Sequence, residues 1–302
     1  MAGKRRYITI LALWSLVVMA NDSLAGDDDP LPWSAPANQQ QCPVGPTAVW
    51  IDAPAGGACM RFFAAGELDS APVAVVLLRG DRQLFVGRDP GDIPGNTAAD
   101  QEKLAMKAMA RIGVPVISIA RPGTYGSSGD HLRRRQQMEF DAINATLDAI
   151  RARYHIGKFA LVGHSGGATA VGAMLTYGRQ DIGCAIIESG AFDLIERARL
   201  LREQNDRKAK PGLDTTGLAN PYDPIDHIDG IAADPARKIV VMGDPRDTVT
   251  PFSLQQRFAN LVRLRGHNVT LSRINARAPA YHNPGPNPSL DMVAQCISRA
   301  SN

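Results

Sequence analysis

No Cys-x-x-Cys pair occurs among the four cysteines, Cys42, Cys59, Cys184 and Cys296, which argues against a zinc site or a redox dithiol. Aromatic residues make up only 6% of the chain, and none interleaves with the arginine runs at 133–135 and 197–202. Those runs read as helix faces, and a nucleic-acid surface has no support. Neither sign of charge dominates, the formal net charge being +3. The apolar run Ile8 to Val18 is short beside the ~20 residues of a membrane span, so no stable membrane insertion is expected. A length of 302 residues suits one sizeable core rather than two large domains.

The first 25 residues differ in kind from the rest. Lys4, Arg5 and Arg6 precede the apolar run, and small residues follow at Ala20, Ser23 and Ala25. This is the pattern of a secretory signal peptide over 1–25, cleaved after Ala20 or, preferably, Ala25, and a secreted or periplasmic location is the expectation. Its removal takes away three basic side chains and Asp22, lowering the formal charge from +3 to about +1. In an oxidising compartment four cysteines allow two disulfides. Chain order suggests Cys42 with Cys59 and Cys184 with Cys296, other pairings remaining open.

Residues 26–65 form a Pro- and Gly-rich lead-in with edge strands expected near Thr47 to Ile51 and Cys59 to Ala64. From 66 to 302 the pattern is that of one catalytic domain. Short runs rich in β-branched residues at Val73 to Leu78, Val116 to Ala120, Phe159 to Val162, Ile182 to Ile187, Ile239 to Met242 and Val269 to Ile274 predict buried strands. Helical patterns lie between them, at 99–112, 136–153, 166–177, 194–204 and 252–265, with a last one at 289–298. This alternation predicts an α/β fold, a mostly parallel central sheet covered by helices on both faces. The interval 207–231 is longer than the sheet needs and is either a small lid or rim or a structural connection.

In such a sheet, sites gather at the C-terminal strand ends. The segment Phe159 to Gly167 ends there in Gly163-His164-Ser165-Gly166-Gly167. A serine bracketed by glycines can occupy a tight strand-to-helix turn with its hydroxyl exposed and the N–H of Gly166 near a developing oxyanion. A serine hydroxyl needs a histidine to take its proton and a carboxylate to orient that histidine. Of the six histidines, His155 and His267 fall at the opposite edge and His131 and His227 in long connections. His164 adjoins Ser165 with its ring expected to turn away from the attack face. His282, in the loop after the last strand, is the candidate base. Asp244 and Asp247 both follow the strand ending at Met242; Asp247 is preferred and Asp244 is its rival.

These residues resemble the α/β-hydrolases. The order Ser165, Asp247, His282 is that superfamily's order, and Gly163 to Gly167 is similar to its nucleophile elbow. Asp247-Thr248-Val249-Thr250-Pro251 resembles its acid loop with the valine displaced by one, after an interval from Gly243 one residue longer than usual. Arg121 to Gly129 resembles its Arg-Pro-Gly-x-Gly-x-Ser segment, in which Tyr125 is a possible pocket residue. The loop that reads His-Gly-x in relatives is Arg79-Gly80-Asp81 here. The resemblance implies an oxyanion hole from the N–H groups of Gly166 and Asp81, with Arg79 and His164 near the pocket and the Asp81 carboxylate turned away. It also implies a serine hydrolase without metal or organic cofactor, acting on a small-molecule or polymeric ester. Segments 189–194 and 220–225 faintly resemble the prolyl-oligopeptidase branch, which makes a serine peptidase the alternative. A catalytically inactive binding protein on the same fold is the third reading.

Overall fold

The computed structural model describes residues 28–43 and 45–298; the expected signal peptide lies outside them. Eight strands form one sheet in the order β1-β2-β4-β3-β5-β6-β7-β8, where β1 is Ala48–Ala53, β2 Gly56–Ala65, β3 Val73–Leu78, β4 Val116–Ile119, β5 Lys158–His164, β6 Ile182–Glu188, β7 Lys238–Gly243 and β8 Val269–Arg273. β2 pairs antiparallel with both β1 and β4, and every pairing from β4 through β8 is parallel. This is the α/β-hydrolase architecture, with a mixed sheet that is parallel over most of its width.

Alternation along the strands builds two cores. Val76, Leu161, Ile187 and Val241 face one way and Val75, Val162, Ile186 and Met242 the other, each set in its own apolar cluster. Both faces of the inner strands are therefore apolar, the continuous pattern that parallel strands require. Helices α2 (Gln137–Tyr154), α3 (Gly166–Thr176) and α5 (Phe252–Leu264) cover the first face. Helices α1 (Ala98–Ile112) and α6 (Pro288–Ser298) cover the second. Leu161 is fully buried, and truncation of such a leucine to alanine removes about 2–5 kcal/mol. Helix α4 (Leu194–Gln204) buries Leu194, Arg197 and Ala198.

The disulfides are Cys42 to Cys59 and Cys184 to Cys296, the pairing that chain order suggests. The second fastens α6 to β6. Within 207–231, Asp214, Tyr222, Pro224, Ile228 and Ile231 are buried, and a 3₁₀ segment at Pro224–Gly230 packs against α3. Among the described residues no helix is long and apolar enough to cross a membrane.

Candidate active site

β5 ends at His164 and α3 begins at Gly166, leaving Ser165 as the single residue of the turn, at φ 55° and ψ −122°. A non-glycine residue held there stores roughly 1–3 kcal/mol of backbone strain. The Ser165 N–H is fixed by the Glu188 carbonyl at 2.9 Å. A side chain at Gly167 would bring its Cβ to 2.0 Å from the Leu78 carbonyl oxygen, so glycine there lets α3 close on the end of β3. Ser165 is half-buried.

His282 lies in the loop after β8, as the sequence predicts, and its Nδ1 is 2.8 Å from Asp247 Oδ2. Asp247 is in turn held in place: its Oδ1 accepts the N–H groups of Val249 and Thr250 at 2.8 and 2.9 Å, and Thr250 Oγ1 stands 2.8 Å from its Oδ2. A carboxylate so fixed orients the imidazole and keeps its proton on Nδ1, leaving Nε2 as the acceptor. The rival Asp244 is otherwise engaged. It pairs with Arg246 at 2.8 Å and accepts the Ala276 N–H at 2.8 Å. The bond from Arg246 is the main cause that holds its carboxyl far below the usual range. Asp244 braces the loops after β7 and β8, and the residue on His282 is Asp247.

His164 does not turn away from the site. Its Nε2 meets the His282 carbonyl oxygen at 3.2 Å, and the two rings lie 5.0 Å apart. Burial, followed by the neighbouring His282, pushes its pKa down to about 4, so it is a neutral brace. Ser189 Oγ donates to the same carbonyl at 3.1 Å.

The loop after β3 brings Gly80 close beside Ser165, where an added Cβ would sit 3.1 Å from that of the serine. The next residue, Asp81, has its carboxylate laid against Gly166: a Cβ on that glycine would come 1.9 Å from Asp81 Oδ1. The carboxylate is gripped by Arg121 at 2.9 Å, Arg134 at 3.0 Å and Arg135. Burial opposes its ionisation, and the guanidiniums of Arg135, Arg121 and Arg134 together outweigh that effect and keep the carboxyl well below the usual range. Gly166, the residue directly after Ser165, is thus the counterpart of this close approach.

Arg79 and Tyr125 line a cavity of about 10 Å³ behind Gly80, room for about one water and none for a substrate. Tyr125 is buried against Trp33, with the Arg79 guanidinium 5.4 Å over its ring.

Several side chains near the site escape a reading of the sequence. His131 Nε2 accepts the Arg82 N–H at 3.0 Å, tying down the residue after Asp81, and burial, then Arg121, lowers its pKa to about 4. Arg134, Arg135 and Arg197 are buried rather than solvated on helix faces. Two other histidines sit as predicted: His155 ends α2 and His267 precedes β8, both away from Ser165.

No family model matches the chain, and no curated protein matches it. Solved structures do. The Pyrococcus furiosus esterase Pf2001 is 14% identical, with 89% of this chain and 98% of that one covered and a TM-score of 0.56. Est1E from Butyrivibrio proteoclasticus is 15% identical over 84% of this chain and 97% of its own, with a TM-score of 0.52. The Pyrococcus horikoshii acylaminoacyl peptidase is 14% identical, with a TM-score of 0.52; 81% of this chain aligns, and it spans 38% of that longer protein. These comparisons overturn the expected secreted or periplasmic location: the proteins resembled are described as esterases and peptidases, none of them as secreted or periplasmic, and that location is withdrawn. At these identities the likeness establishes the fold, and the chain folds as an α/β-hydrolase.

Proposed function

We propose that the protein is a serine hydrolase that cleaves carboxylic esters through an acyl-enzyme. In this reading His282 Nε2 takes the Ser165 proton as Oγ attacks the ester carbonyl, and the N–H groups of Gly166 and Asp81 hold the oxyanion. The carbonyl re-forms, the alcohol leaves with the proton from His282, and water, deprotonated by the same imidazole, releases the acid. Asp247 steadies the transient imidazolium. The observation that carries this reading is the His282 Nδ1 to Asp247 Oδ2 pair at 2.8 Å, at the same sheet edge as the strained turn of Ser165. The segment 207–231 is proposed as a rim of the site rather than a separate domain, because Tyr222 N donates to the Arg135 carbonyl at 2.7 Å and Asp214 Oδ2 accepts from Arg135 Nε at 2.9 Å.

The test is turnover of p-nitrophenyl butyrate against an aminoacyl p-nitroanilide. Ester hydrolysis with a burst, lost in Ser165→Ala, is expected. The structural likeness to an acylaminoacyl peptidase supports a second reading, a serine peptidase, which anilide cleavage at comparable rates would favour. A folded protein inert to both substrates would favour a binding protein on the same fold.

A further inference from the structure

Six arginines gather around the strand ends near Ser165. Three are paired: Arg121, Arg134 and Arg135 converge on Asp81, with Glu139 and Asp214 as further partners. The other three, Arg79, Arg82 and Arg197, have no carboxylate partner among the described residues. Arg79 is bonded to the amide oxygen of Gln101 at 3.0 Å, and Arg82 Nε is buried without a partner.

Arg197 is the most informative. It is 7% exposed, yet its contacts are the Val249 carbonyl at 3.0 Å from Nε and Thr215 Oγ1 at 2.9 Å from Nη1. Thr215 Oγ1 also accepts from Arg135 Nη2 at 2.8 Å. These bonds form a chain across the site. It starts at Asp247, which holds Val249, passes through Arg197, Thr215 and Arg135 to Asp81, and ends against Gly166. Arg197 and the exposed Thr215 therefore stand between the acid loop and the nucleophile turn.

A buried guanidinium whose direct partners are neutral oxygens is unfavourable, because desolvation of the charge is only partly offset by the carboxylates of Asp81, Asp214 and Asp247, none of which bonds to it. Burial, then the nearby Arg135, pushes the pKa of Arg197 down to about 10, against the opposing pull of those three carboxylates. A carboxylate matches what this group lacks, since the planar fork binds it through two charge-assisted bonds. We propose that Arg197, with Thr215 beside it, receives a free carboxylate carried by the substrate, so that the esters cleaved at Ser165 are anionic: half-esters of dicarboxylic acids, or esters whose alcohol part bears the carboxylate. The inference rests on the serine-hydrolase reading and adds the substrate class to it.

The experiment compares matched pairs of esters. One pair is p-nitrophenyl hydrogen glutarate and p-nitrophenyl butyrate, with the charge on the acyl side. The other is the butyryl ester of 4-hydroxybenzoate and that of its methyl ester, with the charge on the alcohol side. The wild type is expected to favour the anionic member of one pair by about tenfold in kcat/KM, the advantage shrinking with added salt. Arg197→Met is expected to abolish that ratio and Arg197→Lys to keep part of it. A role confined to tying Thr215 to the acid loop would change both members of a pair by the same factor. Should the variants misfold, inhibition of wild-type butyrate turnover by free glutarate, compared with free butyrate, reads the same site, and glutarate is expected to be the stronger inhibitor. Neutral esters turned over with no anionic preference in either pair and no selective inhibition would overturn this inference alone. No turnover of any ester, with Ser165 unreactive, would overturn the serine-hydrolase reading and this inference with it.

Discussion

His164 Nε2 lies 3.2 Å from the carbonyl oxygen of His282. A carbonyl only accepts, so the His164 proton is on Nε2, and the residue before the nucleophile holds the backbone of the proposed base. His164→Phe removes this donor while keeping a ring in the space. A net loss of about 1 kcal/mol in positioning predicts a kcat for p-nitrophenyl butyrate about fivefold lower, with KM changed by less than about twofold. Ser189→Ala, which takes away the second donor to that carbonyl, is expected to act in the same direction and more weakly.

Asp81 and Gly166 form a coupled pair. Gly166→Ala drives a Cβ to 1.9 Å from Asp81 Oδ1 and is expected to destabilise the fold by about 1–3 kcal/mol through overpacking. Asp81→Ala leaves three guanidiniums without their shared anion, a loss of about 3 kcal/mol. The double variant should cost less than the two single effects together, because the sharpest clash goes with the carboxylate and leaves only Arg121 Nη1 at 2.9 Å. Urea denaturation of all four proteins measures this coupling, and strict additivity would contradict the contact.

Glu188, at the end of β6, has its pKa raised by burial to about 7 from its ordinary value of 4.5, against hydrogen bonds from Ser289. Its folded value lies above its unfolded value, so its contribution to stability is complete below pH 4.5 and is lost as pH rises through about 7. At about 1.4 kcal/mol per pH unit, this is about 3 kcal/mol in all. Glu188→Gln removes that dependence. It is expected to be more stable than the wild type at about pH 8 and to show a flatter stability profile between about pH 5 and pH 8, as read by urea melts across the range.

The two disulfides should differ in weight. Cys184 and Cys296 close a loop with a sequence separation of 112, against 17 for Cys42 and Cys59. Replacing both Cys184 and Cys296 by serine is expected to lower stability by about 2–4 kcal/mol, more than the same change at Cys42 and Cys59. Because α6 follows the loop that carries His282, proteolysis within 274–287 should also become faster.

Much of the fold is legible in the sequence because it is written locally. Each inner strand is an apolar run whose alternate residues feed two cores, and the helix patterns between them recur where the helices lie. The Ser165 turn is legible for the same reason, since strand, glycines and helix are contiguous. The arginine cluster is not. Arg134 and Arg135 look like a solvated run until Asp81 meets them from 53 and 54 residues away, and Asp214 meets Arg135 from 79. Nothing in their neighbourhood along the chain announces these partners. Likewise His131 reads as a loop residue until the fold sets its ring on the Arg82 N–H, and the His164 ring turns inward because the loop carrying His282 closes over it.

In the proposed mechanism Ser165 is a nucleophile activated at the edge of the sheet. Treatment of the folded protein with a fluorophosphonate, followed by peptide mapping, is its most direct test. A single phosphonylated residue at Ser165, with labelling abolished in Ser165→Ala and strongly slowed in His282→Ala, is the predicted result. A well-folded protein left unlabelled, or one labelled at another residue, would contradict it.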